Sequence, residues 1–424
     1  MKKGKMLIVA LIMLASMASL IASPQAEAPA ASSPRVVTFW SLFTGGDGEF
    51  FDAIIEAFNA SHTDIQLKND MVKFDDYYTK LTAALAAGNA PDLVVCHQGN
   101  MLPYVEAGQL LALDDYLKEI NAPLNDFVAA PLEACRFDGK LYSLPLDVHP
   151  IIMYVNMDVL KAAGITELPK TMEDMIADAV QVQEKTGKMG LDIDNTTATY
   201  KAYTLTRLFF SFMYQQGGTF LNADNTKAAF NNAYGERALK DLQDMVQKYK
   251  TTPAGLDYDT AMNVFKLGDA AFYFNGVWAT GTLENIEGLN FQALPLPALY
   301  GKAAAWGGSH TLAIPAHKNQ DPEQTKAALQ AILWITEHGY MWAKAGHVPT
   351  RISVQNSAEF AALPYRKGYA DSAASVVASP TIVAWEEIYG TMSDMLEYAV
   401  VQNQDVKTAL AQMEAKVNSI IASY

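Results

Sequence analysis

Five short blocks of this sequence place an aromatic or imidazole ring beside small and hydrogen-bonding residues. They are Trp40-Ser41 with Thr44-Gly45-Gly46-Asp47-Gly48; His97-Gln98-Gly99-Asn100; Asp147-Val148-His149; Asn275-Gly276-Val277-Trp278; and Trp306-Gly307-Gly308-Ser309-His310. The rings offer apolar faces, Asp, Asn, Gln and His offer donors and acceptors, and glycine lets backbone N–H groups come close to a ligand. A sugar ring has an apolar C–H face and a rim of hydroxyls, so this mix suits a carbohydrate. The blocks hold two Asp and no Lys or Arg. A phosphate or carboxylate ligand calls for cationic donors, so the composition favours a neutral saccharide; Arg351, in Val348-Pro349-Thr350-Arg351, is the nearby basic residue that would reverse this.

Catalytic and metal signatures are near-misses. His-Glu-x-x-His and Cys-x-x-Cys are absent, and Gly307-Gly308-Ser309-His310-Thr311 has Thr where a nucleophile elbow needs its last glycine. Gly45-Gly46-Asp47-Gly48 lacks dinucleotide spacing and a P-loop lysine. Asp192-Ile193-Asp194 opens like a calcium loop and fails at Thr196 and Thr197. No cofactor and no metal are expected, and the protein is read as a binder rather than an enzyme. The enzymatic rival is a secreted glycoside hydrolase with Asp47 and Asp147 as its carboxylate pair. Plainer roles stand beside the ligand roles: Asp47 as a helix cap, Trp40 as core, His149 and His310 as structural histidines, Trp334 and Trp342 as packing.

The blocks need elements to position them. Val36–Trp40 is a β-rich run, and Phe51, Ile54, Ile55 and Phe58 give a helix after the glycine turn. Ile65–Val72 reads as a strand, Asp76–Ala87 as a helix stopped by Gly88, and Leu93–Cys96 as a buried strand. This alternation is the mark of a parallel α/β sheet. Downstream, Leu141–Leu146, Pro150–Asn156, Ala271–Phe274 and Leu312–Pro315 are strand-like; Thr171–Gly187 is a capped helix, a further helix starts at Asp321-Pro322, and Val406, Leu410, Met413 and Val417 share a helix face. Ligands of open α/β sheets lie beyond the carboxyl ends of strands, where the five blocks fall.

The chain has 424 residues, 50% hydrophobic and 18% charged, with a net charge of −15. That length fits two or three lobes, and the negative field excludes nucleic acid as a partner. Lys2, Lys3 and Lys5 precede the apolar run Met6–Ala22, and Ser23-Pro24 opens a stretch rich in Ala, Ser and Pro. This reads as a signal peptide over residues 1–23 and a flexible leader over 24–34. The first cysteine is Cys96, so lipid anchoring is not expected and the mature protein is read as periplasmic. Cys96 and Cys135 either pair or stay as buried thiols.

The whole mature chain resembles the extracellular solute-binding proteins of bacterial carbohydrate ABC importers, the maltose and multiple-sugar group. The resemblance rests on Thr38-Phe39-Trp40, Gly88-Asn89-Ala90-Pro91-Asp92-Leu93, Phe137-Asp138-Gly139-Lys140-Leu141-Tyr142, Leu267-Gly268-Asp269-Ala270-Ala271-Phe272 before Asn275-Gly276-Val277-Trp278, and Trp306-Gly307-Gly308 before Leu312-Ala313-Ile314-Pro315, in this order. It implies a two-lobed α/β fold of the type II periplasmic-binding class, each lobe a mostly parallel sheet flanked by helices. The N-terminal lobe is expected over 35–146 plus about 293–330, and the C-terminal lobe over 147–292 plus about 331–424. Hinge crossings are implied at Leu146–His149 and Asn290–Leu294. The implied function is capture of a neutral sugar or oligosaccharide and its delivery to a membrane permease, by a monomer; the alternative is another cargo, such as glycerol phosphate, a peptide or a polyamine. The implied ligand-binding residues are Trp40, Thr44, Gly46, Asp47, His97, Gln98, Asn100, Asp147, His149, Asn275, Trp278, Trp306, Gly308, Ser309, His310, Arg351 and Trp385.

Overall fold

Strand β1 (Arg35–Ser41) turns Val37, Phe39 and Ser41 into the core, and the helix Gly48–Ser61 covers it with Phe51, Ile54, Ile55 and Phe58. These positions are spaced for one helix face, as the sequence pattern requires. Strand β2 (Ile65–Met71) follows. The helix Phe74–Ala87 ends at Gly88 in the left-handed conformation (φ 69°), where a side chain would be strained. Strand β3 (Leu93–His97) is buried along Leu93–Cys96. After a small hairpin, β4 (Arg136–Phe137) with β5 (Lys140–Leu141), strand β6 (Ser143–Pro145) completes one side of the molecule. This computed structural model describes residues 33–197, 203–370, 373 and 375–424. The expected signal segment 1–23 and nearly all of the leader 24–34 lie outside the described residues.

The long strand β7 (Asp147–Asn156) organises the second sheet. It pairs with β9 (Ala270–Gly276), β10 (Phe291–Pro295), β11 (Ala305–Gly308) and β13 (Val348–Pro349). Strand β8 (Met189–Asp192) flanks β9, and β14 (Val376–Ala378) flanks β11. Helices Met172–Thr186, Ala233–Gln247, Trp385–Val401 and Val406–Ile421 pack on this side. The first of them carries a complete capping box between Thr171 and Asp174 and ends at Gly187.

Strand β12 (His310–Ala313) returns to the first sheet, between β3 and β6, in the order β2-β1-β3-β12-β6. The chain therefore passes between the sheets at Leu146, between β6 and β7, at Ser309, between β11 and β12, and again before β13, since Trp342 and Ala345 lie in the first core and Val348 pairs with β7. The first two passages touch, since the Leu146 N–H donates to the His310 carbonyl at 2.7 Å.

The α/β, two-lobed class stands, with two differences. Neither sheet is mostly parallel: β12 runs antiparallel to β3 and β6, and β7 runs antiparallel to β9, β10, β11 and β13. The return expected at Asn290–Leu294 also moves, because β10 stays in the second sheet as a partner of β7. Ala331, Ile332, Ile335 and Trp342 belong to the first core, beyond the 330 boundary expected for it, because the helix Pro322–Glu337 lays one apolar face against β1.

Candidate functional site

Asp147 stands where β7 leaves the first crossing, and it is fully buried. Its Oδ1 accepts from His149 Nδ1 at 2.8 Å and from the His310 backbone N–H at 3.0 Å. Its Oδ2 accepts from His310 Nδ1 at 2.7 Å and Trp342 Nε1 at 2.6 Å, and His347 Nδ1 lies 3.1 Å away. Burial alone would raise this carboxyl, but His310, His347 and His149 outweigh it and hold the group well below the usual carboxylate range. Asp147, His149, His310 and His347 are residue types that bind metals. Here the carboxylate's lone pairs already take N–H donors, so the group is a hydrogen-bond hub that fixes three imidazoles.

The hub decides what each ring offers. A carboxylate only accepts, so His149 carries its proton on Nδ1. Burial, then His310, depress His149 to about 3; the ring is neutral and its Nε2 is an acceptor. Gly308 makes room for it, because a Cβ there would lie 2.5 Å from His149 Nε2. The Tyr78 hydroxyl accepts from the His97 backbone N–H at 2.8 Å and sits 2.6 Å from the ring Nδ1. Burial and the neighbouring His310, His149 and Arg207 push His97 well down, leaving it neutral. His347 bridges two acids, 3.3 Å from Asp47 and 3.1 Å from Asp147. Burial lowers its pKa, but the carboxylates overcome this and lift it to about 9. It is a cation stacked on Trp342, with centroids 4.2 Å apart.

Two adjoining cavities of about 90 and 50 Å³ open onto these rings. They share Phe74, His97 and Arg207 as walls. The first gathers Thr44, Asp47, His97, His149, Trp278 and His310 from the expected set; the second gathers Gln98, Asn100, Trp306, Gly308, Ser309 and Trp385. Asp47 occupies the cap position of its helix without capping it. One oxygen faces His347 and the other, Oδ1, is buried without a partner. Trp278 folds back over its own strand, and a Cβ on Gly276 would lie 1.9 Å from the indole. The Asn-Gly pair is thus needed for the ring's placement, and Trp278 Nε1 donates to Tyr258 at 2.9 Å.

Five expected residues line neither cavity. Asp147 lies beneath the first as the hub. Gly46 offers its carbonyl to Thr282 at 2.8 Å, an approach that a Cβ would block at 2.6 Å. Asn275 is fully buried and bonds Tyr273 and its own following N–H. Trp40 packs on the first core under Lys80, 4.1 Å from the ring. Arg351 is committed to Asp126 at 3.4 Å and lies 4.8 Å over Phe127.

The cation of the cleft is Arg207 instead, which the neutral-block reading missed. Its guanidinium lies 4.8 Å from the Trp278 ring and 4.5 Å from Trp306, within cation–π range of both. It also acts on Asp194 and Tyr389, so it does not stand as an uncompensated anion receptor. The sequence holds one clue to it: a lone arginine among Leu205, Leu208, Phe209, Phe210, Phe212 and Met213, all buried. His347 and Trp342 gave none, since the packing of the helices before β13 and the pairing of β13 with β7 bring them to Asp147. Cys96 and Cys135 are both free and buried.

Residues 44–342 match the family model for bacterial extracellular solute-binding proteins. The arabinooligosaccharide-binding protein of Bacillus subtilis is 26% identical over 84% of this chain and 82% of its own. Among solved structures, a Thermotoga lettingae ABC-transporter solute-binding protein bound with α-D-tagatose is 24% identical at a TM-score of 0.80, covering 91% of this chain and 100% of that one. UgpB from Mycobacterium tuberculosis, in complex with glycerophosphocholine, is 19% identical at a TM-score of 0.81, covering 92% and 99%.

Proposed function

We infer that this chain, which belongs to the bacterial extracellular solute-binding protein family, captures a sugar outside the cytoplasm and presents it to the permease of an ABC importer. One observation carries the reading. Indole rings (Trp278, Trp306, Trp385) and polar groups (His149, His97, Asp47) surround one pair of joined cavities, where the loops of the two sheets meet. Ring burial contributes roughly 25 cal/mol per Å² of apolar area, and hydroxyl hydrogen bonds in a drying cleft supply the rest. The named cargo of the Bacillus relative, an arabinooligosaccharide, and the tagatose of the Thermotoga structure support a saccharide. The glycerophosphocholine complex favours a phosphodiester cargo only weakly, because Arg207 already answers to Asp194 and Tyr389.

In this reading the lobes are the two sheets with their helices, hinged where the chain passes between them at Leu146, at Ser309 and before β13, and the ligand favours the closed form. The protein is a periplasmic monomer, and it makes and breaks no bond. Against a hydrolase stands the state of Asp147, buried beneath the cavity with its lone pairs taken by N–H groups. A thermal-shift screen against saccharides tests the function, since a ligand that binds only the folded state raises the melting temperature. No shift with any sugar, or turnover of reporter glycosides, would remove the reading.

A further inference from the structure

Four consecutive carbonyls of the third passage between the sheets are held by donors from the side of the second sheet. Arg366 Nε donates to the Ala343 carbonyl at 2.9 Å, and its Nη2 donates to the Lys344 carbonyl at 2.6 Å. The Gly281 N–H donates to the Ala345 carbonyl at 2.9 Å, and the Tyr369 hydroxyl to the Gly346 carbonyl at 2.7 Å. Arg366 and Tyr369 are fully buried on the short helix Arg366–Ala370, which packs on β10. Tyr369 shares a core with Ile152, Tyr154 and Tyr273 of β7 and β9. Arg366 is anchored in turn by Glu284 and by the Pro364 carbonyl at 2.9 Å.

The fit is close as well as polar. Gly346 has φ 128°, and a Cβ there would lie 1.8 Å from the Val277 carbonyl, so no other residue takes its place without strain. A Cβ on Gly281 would lie 2.4 Å from the Lys344 carbonyl. Toward the first sheet the passage makes apolar contacts, through the side chains of Trp342 and Ala345 in the first core. The Trp342 indole N–H reaches β7 again, at Asp147. Hydrogen bonds are directional, and a buried carbonyl that loses its donor is costly. Packed apolar surfaces slide past one another more easily.

We propose that Arg366 and Tyr369 clamp the third passage to the second lobe, so that residues 343–346 move with that lobe and the bending of closure falls on the passages at Leu146 and Ser309. This rests on the two-lobed, hinged reading above. Neither clamp residue lines a cavity of the cleft; both are positioning residues that restrain how the lobes open.

The test is double electron–electron resonance on ligand-free protein, with spin labels at Ala53→Cys and Ala411→Cys, exposed on one helix of each lobe. The native Cys96 and Cys135 are buried. Arg366→Lys keeps the charge but not the planar fork that spans two carbonyls, and Tyr369→Phe removes only the hydroxyl. Both should broaden the interlobe distance distribution and speed hydrogen exchange at the Lys344, Ala345 and Gly346 amides by about tenfold. Val417→Ala, in the second core, costs stability without touching the passage and should leave the distribution unchanged. Unchanged widths in both folded clamp variants, or equal broadening by Val417→Ala, overturn the clamp. So does a wild-type protein whose 343–346 amides exchange as readily as unstructured backbone, a measurement that needs no variant. A wild-type interlobe distribution as narrow as that between two labels on one lobe removes the hinged reading itself.

Discussion

His310 Nδ1 donates to Asp147 Oδ2 at 2.7 Å across 163 residues of sequence. This bond joins the strand that re-enters the first sheet to the strand that opens the second. Two of the chain's passages between the sheets are therefore tied at the carboxylate that also orients His149.

Replacing Asp147 by Asn should destabilise the fold by about 3 kcal/mol or more. The side-chain amide would turn an N–H₂ group toward N–H donors and leave the His347 charge with one acid instead of two. Urea unfolding of D147N against wild type measures it; an unchanged midpoint would show that the hub contributes nothing to stability.

Trp278→Ala should weaken sugar binding by at least about tenfold, near 1.4 kcal/mol, with folding retained. Calorimetric titration reads the affinity and circular dichroism the fold. Equal affinity would take the indole out of the ligand's contacts.

Gly276→Ala should mimic that loss without touching the tryptophan. Its Cβ would lie 1.9 Å from the indole, so the ring must rotate away from Arg207. Altered tryptophan fluorescence together with reduced sugar affinity is expected, and an unchanged emission spectrum would contradict the placement.

His347 makes stability depend on alkaline pH. Its pKa is raised to about 9 in the fold, against about 6.5 in the unfolded chain. Its contribution is fully present below the lower value and is lost as pH rises through the upper one. His347→Gln should be less stable than wild type at pH 6, and the gap should narrow by pH 10 in denaturant titrations.

Both cysteines should resist labelling. Burial pushes the Cys96 and Cys135 thiols up to about 12, so neither forms thiolate near neutrality. A thiol reagent should modify none in the native protein and two in denaturant.

Much of this protein is legible in its sequence because the relevant forces are local. The apolar face Phe51-Ile54-Ile55-Phe58, the stop at Gly88 and the Thr171–Asp174 capping box each involve neighbours a few residues apart. Ring-plus-polar blocks after strands likewise flagged eleven residues that line the two cavities. Long-range packing decided the rest. Whether Asp147 touches ligand or anchors three histidines depends on Trp342 and His347, roughly two hundred residues away, and no spacing rule reaches that far. Arg207 reads as an anomaly in an apolar helix until the fold sets it between two indoles, while Arg351, closer to the expected motifs, is spent on Asp126. The sequence by itself picked out side chains whose chemistry suits a sugar; the tertiary structure decided which of them line the cavities, because burial and buried charge partners exist only once the chain has folded.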